Sequence, residues 1–345
     1  MKLKIKKHLS TNKKTRFFTL LLVAALVVPQ IIQGIRAAYA MATTRQIGEG
    51  AYSASFYDQL TTDNERKFYN AIDDLIDEEA FANGTAETSG KKGADILEVK
   101  DIQLPSALPG EDDQEGLQKF GSELLRDMGA GRDAFMLDHP DLFYIDFDAI
   151  VLTIHTDENG NDLKVYVGAG RKDQDKTEDL DAADRSTYIN QEFVEKIADS
   201  ITIKYEEIKN AIATVNGHIS RIATDARDHY APVVKDMIKY AHDEVIKAAK
   251  YELEHQSKHP YSVRTVYGVF GINDEPGRTG GAGSAVCEGY ARALKAILDK
   301  LNIPAVLVYG NYMDKGKPQE HMWLNVKVDD KWYGIDPTFD NDAND

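Results

Sequence analysis

Cysteine is nearly absent. Cys287 is the only one in 345 residues, so no internal disulfide can staple the fold. No Cys/His pair has the spacing of a zinc site. Basic residues are in deficit as well: 41 Lys and Arg stand against 57 Asp and Glu, for a formal net charge of -16. Nucleic-acid affinity rests on Lys and Arg that neutralise phosphates, which excludes a nucleic-acid partner. The glycine-rich run Gly277 to Ser284 (GRTGGAGS) lacks the Lys-Ser/Thr ending of a phosphate-binding loop and reads as a flexible approach to the helix that follows. Asp157 to Asp162 (DENGND) lacks the sixth-place glycine and twelfth-place glutamate of a calcium loop. Its Asn159-Gly160 is a hairpin turn signal instead. Asp340 to Asp345 (DNDAND) fails the same test and reads as a surface tail. No cofactor and no metal site is implied.

The scarce positive charge is concentrated at the start. Lys2, Lys4, Lys6, Lys7, Lys13, Lys14 and Arg16 precede an apolar run, Phe17 to Val28, and Ala38-Tyr39-Ala40 is a small-residue cleavage pattern. That is a secretory leader over residues 1–40. The competing reading is an uncleaved membrane anchor, for which the run is short and broken by Pro29 and Gln30. Contact with a membrane is expected only through this segment. A lone thiol in an exported protein is a liability unless buried or used. It also suggests a Gram-positive cell surface, where exported proteins avoid disulfides.

Beyond a polar linker, Thr62 to Glu65 is a capping box, and Phe68, Ile72, Leu75 and Ile76 mark the helix after it. Ile96 to Leu104, Leu142 to Phe147 and Ala149 to His155 read as strands, and Leu117 to Met128 as a helix. Asn83 to Gly93 and Arg171 to Arg185 read as loops. From Tyr188 the chain reads as helical, with Phe193, Ile197, Ile201, Ile208, Ile212 and Val215 as one stripe interrupted at Gly217. Pro232 starts or kinks a further helix reaching about Tyr251. His242 on that helix reads as structural.

The stretch from Gly280 to Asp336 carries the chemistry. Val286, Tyr290, Leu294, Ile297, Leu298 and Leu301 fall at helical spacing, with Gly283 or Ser284 as N-cap. Cys287 therefore lies in the first turn, where free backbone N–H groups and the positive dipole end favour a thiolate. A small buried cysteine is the alternative. Met322, Leu324, Val326 and Val328 alternate as a half-buried strand. Asp329-Asp330 reads as a tight turn, with Lys331 to Ile335 returning. In that register Trp323 faces Asp336, and His321 is Asp336's diagonal neighbour on the same face. A bulge would spoil the register. A surface histidine beside an unrelated strand-end aspartate is the other possibility. A thiol, an imidazole and a carboxylate in this order are the parts of an acyl-transfer site.

The segments TVYGVF, AVCEGYARALKAILDKLNIPAVLVYG and HMWLNVKVDDKWYGIDPTFD resemble the bacterial transglutaminase-like superfamily, a papain-like cysteine fold. One departure is Leu324, which stands before Asn325 where the family often has Asn directly after His-x-Trp. The resemblance implies Cys287 as nucleophile, His321 as base and Asp336 as orienting acid. The backbone N–H of Cys287 would donate to the oxyanion, and Tyr267, which matches a family position, is a second donor or substrate-positioning group.

The expected fold class is α+β: a papain-like transglutaminase core, with the nucleophile helix packed on an antiparallel sheet, preceded by a largely helical α+β accessory region. The expected divisions are 41–187 for the accessory region, 188–240 for a helical connection and 241–345 for the transglutaminase-like domain. Related domains usually continue with a further strand, so a shortened C-terminal end is expected. The expected function is exported acyl transfer on peptide or carboxamide bonds, as protease, amidase or transglutaminase. Its partner would be a protein or peptide substrate associated with the cell wall. The alternative is a non-catalytic surface scaffold that keeps the fold.

Overall fold

The computed structural model describes residues 18–21, 55–76, 96–110, 113–156, 163–169, 189–197, 200–253, 256–272 and 283–342. The segments Asn83 to Gly93, Asp157 to Asp162, Arg171 to Arg185 and Gly277 to Ala282 lie outside them, as does most of the expected leader. By contact density the chain falls into two compact units.

The first unit comprises residues 57–136 and 146–189 together with a strand near the N-terminus. Its sheet is antiparallel throughout, in the order β1 (Phe18–Leu21), β3 (Ile150–Thr156), β4 (Lys164–Ala169), β2 (Ile96–Glu98). Four residues of the expected leader thus form an edge strand against β3. Helix α1 (Asp63–Leu75) packs on β2 and β4. It starts at the expected capping box: the Thr62 side chain accepts from the Glu65 N–H, and the Glu65 carboxylate accepts from the Thr62 N–H. Phe68 and Ile72 of α1 are fully buried, as are Leu152, Ile154 and Val167 of the sheet. Helix α2 (Gln114–Asp138) is longer than expected at both ends. Leu142 to Phe147 is not a strand but a run of turns with Leu142, Phe143 and Tyr144 buried. An apolar run reports burial, and His139-Pro140-Asp141 ahead of it turns the chain.

The second unit takes in residues 190–345 and 137–145. It opens on a hairpin, β5 (Val194–Ile197) and β6 (Ser200–Ile203), where a helix was expected. β-Branched Val194, Ile197, Ile201, Thr202 and Ile203 favour the extended backbone, so a stripe at helical spacing misreads here. Helix α3 (Tyr205–Tyr230) then runs through Gly217 without interruption. Helix α4 (Val234–Ala248) ends before the expected Tyr251, because Ala249–Tyr251 forms β7.

Helix α5 (Val266–Phe270) and strand β8 (Gly283–Ala285), parallel to β7, precede helix α6 (Cys287–Lys300). An antiparallel sheet follows in the order β11 (Lys331–Ile335), β10 (Lys317–Val328), β9 (Ala305–Asp314). Helix α7 (Phe339–Asp342) ends the described chain.

Helix α6 packs on β9 and β10 on one side and on α3, α4 and α5 on others. Tyr290, Leu294, Ile297 and Leu298 have no exposed surface, each burial stabilising by about 1.5–3 kcal/mol. After Lys300 the chain turns at Asn302 (φ 57), and the Ile303 N–H donates to the Leu298 carbonyl at 2.9 Å, a left-handed stop that a glycine usually supplies. This is the expected α+β core, with the cysteine-bearing helix on an antiparallel sheet.

A Cβ at Gly217 would meet nothing within 4 Å, and the residue is exposed in mid-helix. Gly217→Ala should therefore stabilise the protein by about 0.5–1 kcal/mol in denaturant unfolding. A loss of stability would show that the helix needs flexibility there.

Candidate active site

Helix α6 begins at Cys287 itself. The N-cap is Val286, which makes no side-chain capping bond. Gly283 and Ser284, expected as the cap, lie in β8 instead. The segment before the cysteine is held from two sides: the Val286 N–H donates to the Val263 carbonyl at 3.0 Å, and the Glu252 N–H donates to the Ala285 carbonyl at 3.0 Å. The buried Tyr290 hydroxyl donates to the Ala249 carbonyl at 2.8 Å and ties the first turn of α6 to β7. Gly289 lets this turn approach the 262–265 loop, for a Cβ there would sit 2.5 Å from the Val263 carbonyl oxygen. Cys287 itself is only partly covered and makes no disulfide.

The histidine and aspartate arrive on adjacent strands. The β10–β11 register pairs Val328 with Lys331 and Leu324 with Ile335. Asp329 (φ 49) and Asp330 (φ 60) form the tight turn between them, both left-handed, as a two-residue hairpin of this twist requires. One step beyond the last paired residues, the register sets Asp336 opposite Trp323 and makes His321 its diagonal neighbour on the same face. The His321 Nε2–H donates to Asp336 Oδ2 at 2.7 Å. Asp336 is fixed in turn: its Oδ1 accepts from the Thr338 N–H at 3.1 Å and the Phe339 N–H at 3.3 Å.

His321 is 5 % exposed. Burial alone would lower its pKa by penalising the cation. The hydrogen bonds to Asp336 and to Cys287, with the negative charge of both groups, win over that penalty and hold it at about 9. With Nε2 given to Asp336, Nδ1 is the nitrogen left for the thiol. His321 is thus hydrogen-bonded to Asp336, and Cys287 is near enough to the imidazole to help hold its proton.

Aromatic rings fix the imidazole plane. Trp323 lies near parallel at 6.0 Å, Phe339 at 4.6 Å and Tyr312 edge-on at 5.4 Å, between ring centroids. Gly310, the cross-strand partner of His321, makes room for the indole; a Cβ there would lie 2.8 Å from Trp323 Cζ3.

Tyr267 is half-buried. Its ring stacks on Phe143 at 5.3 Å, leans on Phe193 at 5.4 Å and packs against the cluster that contains Val286. Burial, then the nearby Glu192 and Glu207 carboxylates, push its phenol pKa up. His242 binds Asp340 Oδ2 through Nε2 at 3.0 Å and Asp243 Oδ1 through Nδ1 at 3.2 Å, consistent with a structural role. A groove of about 440 Å³ lies beside it, lined by residues of α4, β10 and β11, and neither Cys287 nor His321 is in its wall. The described residues contain no group of three or more metal-ligating side chains suited to hold an ion.

One network was missed in the sequence. Glu288 is buried beside the cysteine, yet both its oxygens are used: Arg264 Nη1 donates at 2.7 Å and the Tyr309 hydroxyl at 2.9 Å. Tyr309 neighbours Gly310, so the network ties the helix of Cys287 to the strand opposite His321. The available signal was a carboxylate inside an otherwise small and apolar helix start.

Residues 219–337 match the family model described as the transglutaminase-like superfamily. Among solved structures, one similar molecule is a TGase at 16% identity, covering 52% of this chain and 42% of that one with a TM-score of 0.30. Another is the periplasmic domain of TgpA from Pseudomonas aeruginosa bound to ethylmercury, at 14% identity, 51% and 55% coverage and a TM-score of 0.27. A third is a candidate cysteine protease from Cytophaga hutchinsonii, at 12% identity, 55% and 62% coverage and a TM-score of 0.26. The chain spans about half the length of these molecules. A sequence comparison with curated proteins gives no significant match.

Because the folded imidazole holds its proton to about pH 9 and the unfolded one to about 6.5, the site's contribution to stability is full below about pH 6.5 and is lost as pH rises through 9. Thermal or denaturant unfolding across that window should show a loss of up to about 3 kcal/mol. In Asp336→Asn the loss should shrink. An equal loss in both proteins would contradict the assigned partner.

Proposed function

Proceeding from a C-terminal transglutaminase-like domain, we propose that this protein is a cysteine-nucleophile acyl-transfer enzyme acting on peptide or carboxamide bonds. The observation that carries the reading is the buried imidazole of His321, bonded to Asp336 through Nε2 and near enough to Cys287 for the thiol to help raise its pKa. At neutral pH an imidazole with a pKa of about 9 is a cation. In the proposed reaction the Cys287 sulfur attacks as a thiolate with the His321 imidazolium beside it.

The steps follow from that pair. The thiolate attacks the carbonyl carbon, and charge develops on the carbonyl oxygen. Backbone N–H groups at the uncapped start of α6 supply donors and a positive dipole end for it. The imidazolium gives its proton to the leaving nitrogen as the carbon–nitrogen bond breaks, which leaves a thioester on Cys287 and a neutral imidazole. That imidazole takes a proton from the incoming water or amine, and the thioester is resolved by hydrolysis or transfer. Asp336 holds the tautomer and stabilises the cation without itself being protonated. Tyr267 serves as a buttress for the helix start through its contact with the Val286 cluster.

Export belongs to the same proposal, supported by the basic stretch, apolar run and Ala-Tyr-Ala pattern of the first 40 residues. No helix among the described residues is long and apolar enough to cross a membrane. The substrate class is a protein or peptide of the cell surface. The acidic balance of the chain disfavours polyanions such as nucleic acid.

A single thiol makes the test direct. A small alkylating reagent at neutral pH, followed by intact mass, should modify Cys287 rapidly in the wild type. His321→Ala should slow it by about 100-fold or more, the usual range for loss of an acid–base partner. Asp336→Asn should fall between them. A thiol that is inert, or indifferent to His321, overturns the catalytic reading and leaves a binding domain on the same fold.

A further inference from the structure

The strands that carry His321 reach beyond the core. From Asn311 to Glu320 every residue of the β9–β10 ribbon is exposed. It closes in a tight turn with Lys315 at φ 49 and Gly316 at φ 79. On this ribbon Tyr312 shares a face with Gly310 and so with His321, the cross-strand partner of Gly310. Its ring meets the imidazole edge-on and Phe339 at 5.1 Å. Phe339 lies 4.6 Å from the imidazole, and its N–H is fixed by Asp336.

Two large rings therefore stand on a buried imidazole and yet remain open to solvent, Tyr312 at 37% and Phe339 at 43%. An exposed apolar surface joined to a polar group in this way is characteristic of a ligand subsite.

Its position relative to the chemistry says what it would hold. A general acid must lie within hydrogen-bond reach of the nitrogen it protonates. The groups around the imidazole therefore touch the nitrogen side of the scissile bond, not the acyl side on Cys287. Tyr312 stands on β9, which pairs with the strand of the base, and the Phe339 N–H is held by the acid, so the surface is in register with the proton transfer.

Resting on the acyl-transfer reading above, we propose that Tyr312 and Phe339 form a subsite for an aromatic or branched aliphatic group borne by the leaving or incoming amine. In a peptide substrate this is the side chain of the residue on the amine side of the bond. The site would favour such a residue over glycine, serine or a charged residue there. The two rings determine specificity and take no proton themselves.

The test uses two haloacetamides that differ only on nitrogen, one unsubstituted and one N-benzyl, with intact mass as readout on the full chain. The quantity is the ratio of their alkylation rates at Cys287, corrected by the ratio with free glutathione. That ratio cancels any change in thiol reactivity. The wild type should prefer the N-benzyl reagent by on the order of tenfold, the usual worth of an apolar contact of this size. Tyr312→Ala and Phe339→Ala should bring the ratio towards one, while Tyr312→Phe and Phe339→Leu, which keep apolar surface and protect against misfolding, should retain it. A wild-type ratio near one with rapid alkylation overturns the subsite and leaves the acyl-transfer reading standing. A ratio that survives both alanine variants places the preference elsewhere and also overturns it. Failure of Cys287 to react with either reagent removes both.

Discussion

The rest of the site depends on one short contact, the His321 Nε2–H bond to Asp336 at 2.7 Å. It sits where β11 ends and closes the register of the β10–β11 hairpin. A one-residue slip would turn His321 to the other face and send Met322, Leu324 and Val326, all essentially unexposed, out of the core. The same alternation that buries one face of β10 therefore delivers the imidazole to the other. Asp336 is held by two backbone N–H groups, so the carboxylate is aimed before the imidazole arrives. Burying a histidine normally favours the neutral ring; here two anionic partners reverse the sign.

Helix α6 supplies the other half. It is buried on nearly every side, including polar Glu288, Arg292 and Lys295. Such a helix cannot shift without breaking contacts with α3, α4, α5 and the sheet. Its first residue is thereby a fixed point. Glu288 extends that rigidity across to β9 through Tyr309. The thiol and the base, which approach from different elements, are set at a distance defined by packing and by one satisfied buried carboxylate.

What was legible in the sequence was whatever local periodicity and turn chemistry encode. The stripe from Val286 to Leu301, the alternation of β10 and the Asp329-Asp330 turn each gave the right element. Together they placed His321 against Asp336, although the pairing spans two strands. The apolar stripe from Phe193 to Val215 misled, because β-branched residues at helical spacing form a hairpin when the backbone preference is extended. The N-cap was misplaced because Gly283 and Ser284 are drawn into a parallel pairing with β7, a contact no local signal announces. The Glu288 network escaped for a similar reason, since Arg264 and Tyr309 are distant in sequence. Tyr267, singled out by a motif, is placed by its neighbours Phe143 and Phe193, which no spacing connects.

The central claim is that His321 is a cation at neutral pH because it is held between Asp336 and Cys287. Nuclear magnetic resonance of protein labelled with carbon-13 and nitrogen-15 in its histidines reads this without any substrate. The imidazole of His321, assigned by its loss in His321→Ala, should titrate at about 9 and move down when Cys287 or Asp336 is replaced by Ala or Asn. A wild-type midpoint near the ordinary histidine value of about 6.5, unmoved by either substitution, would contradict the account.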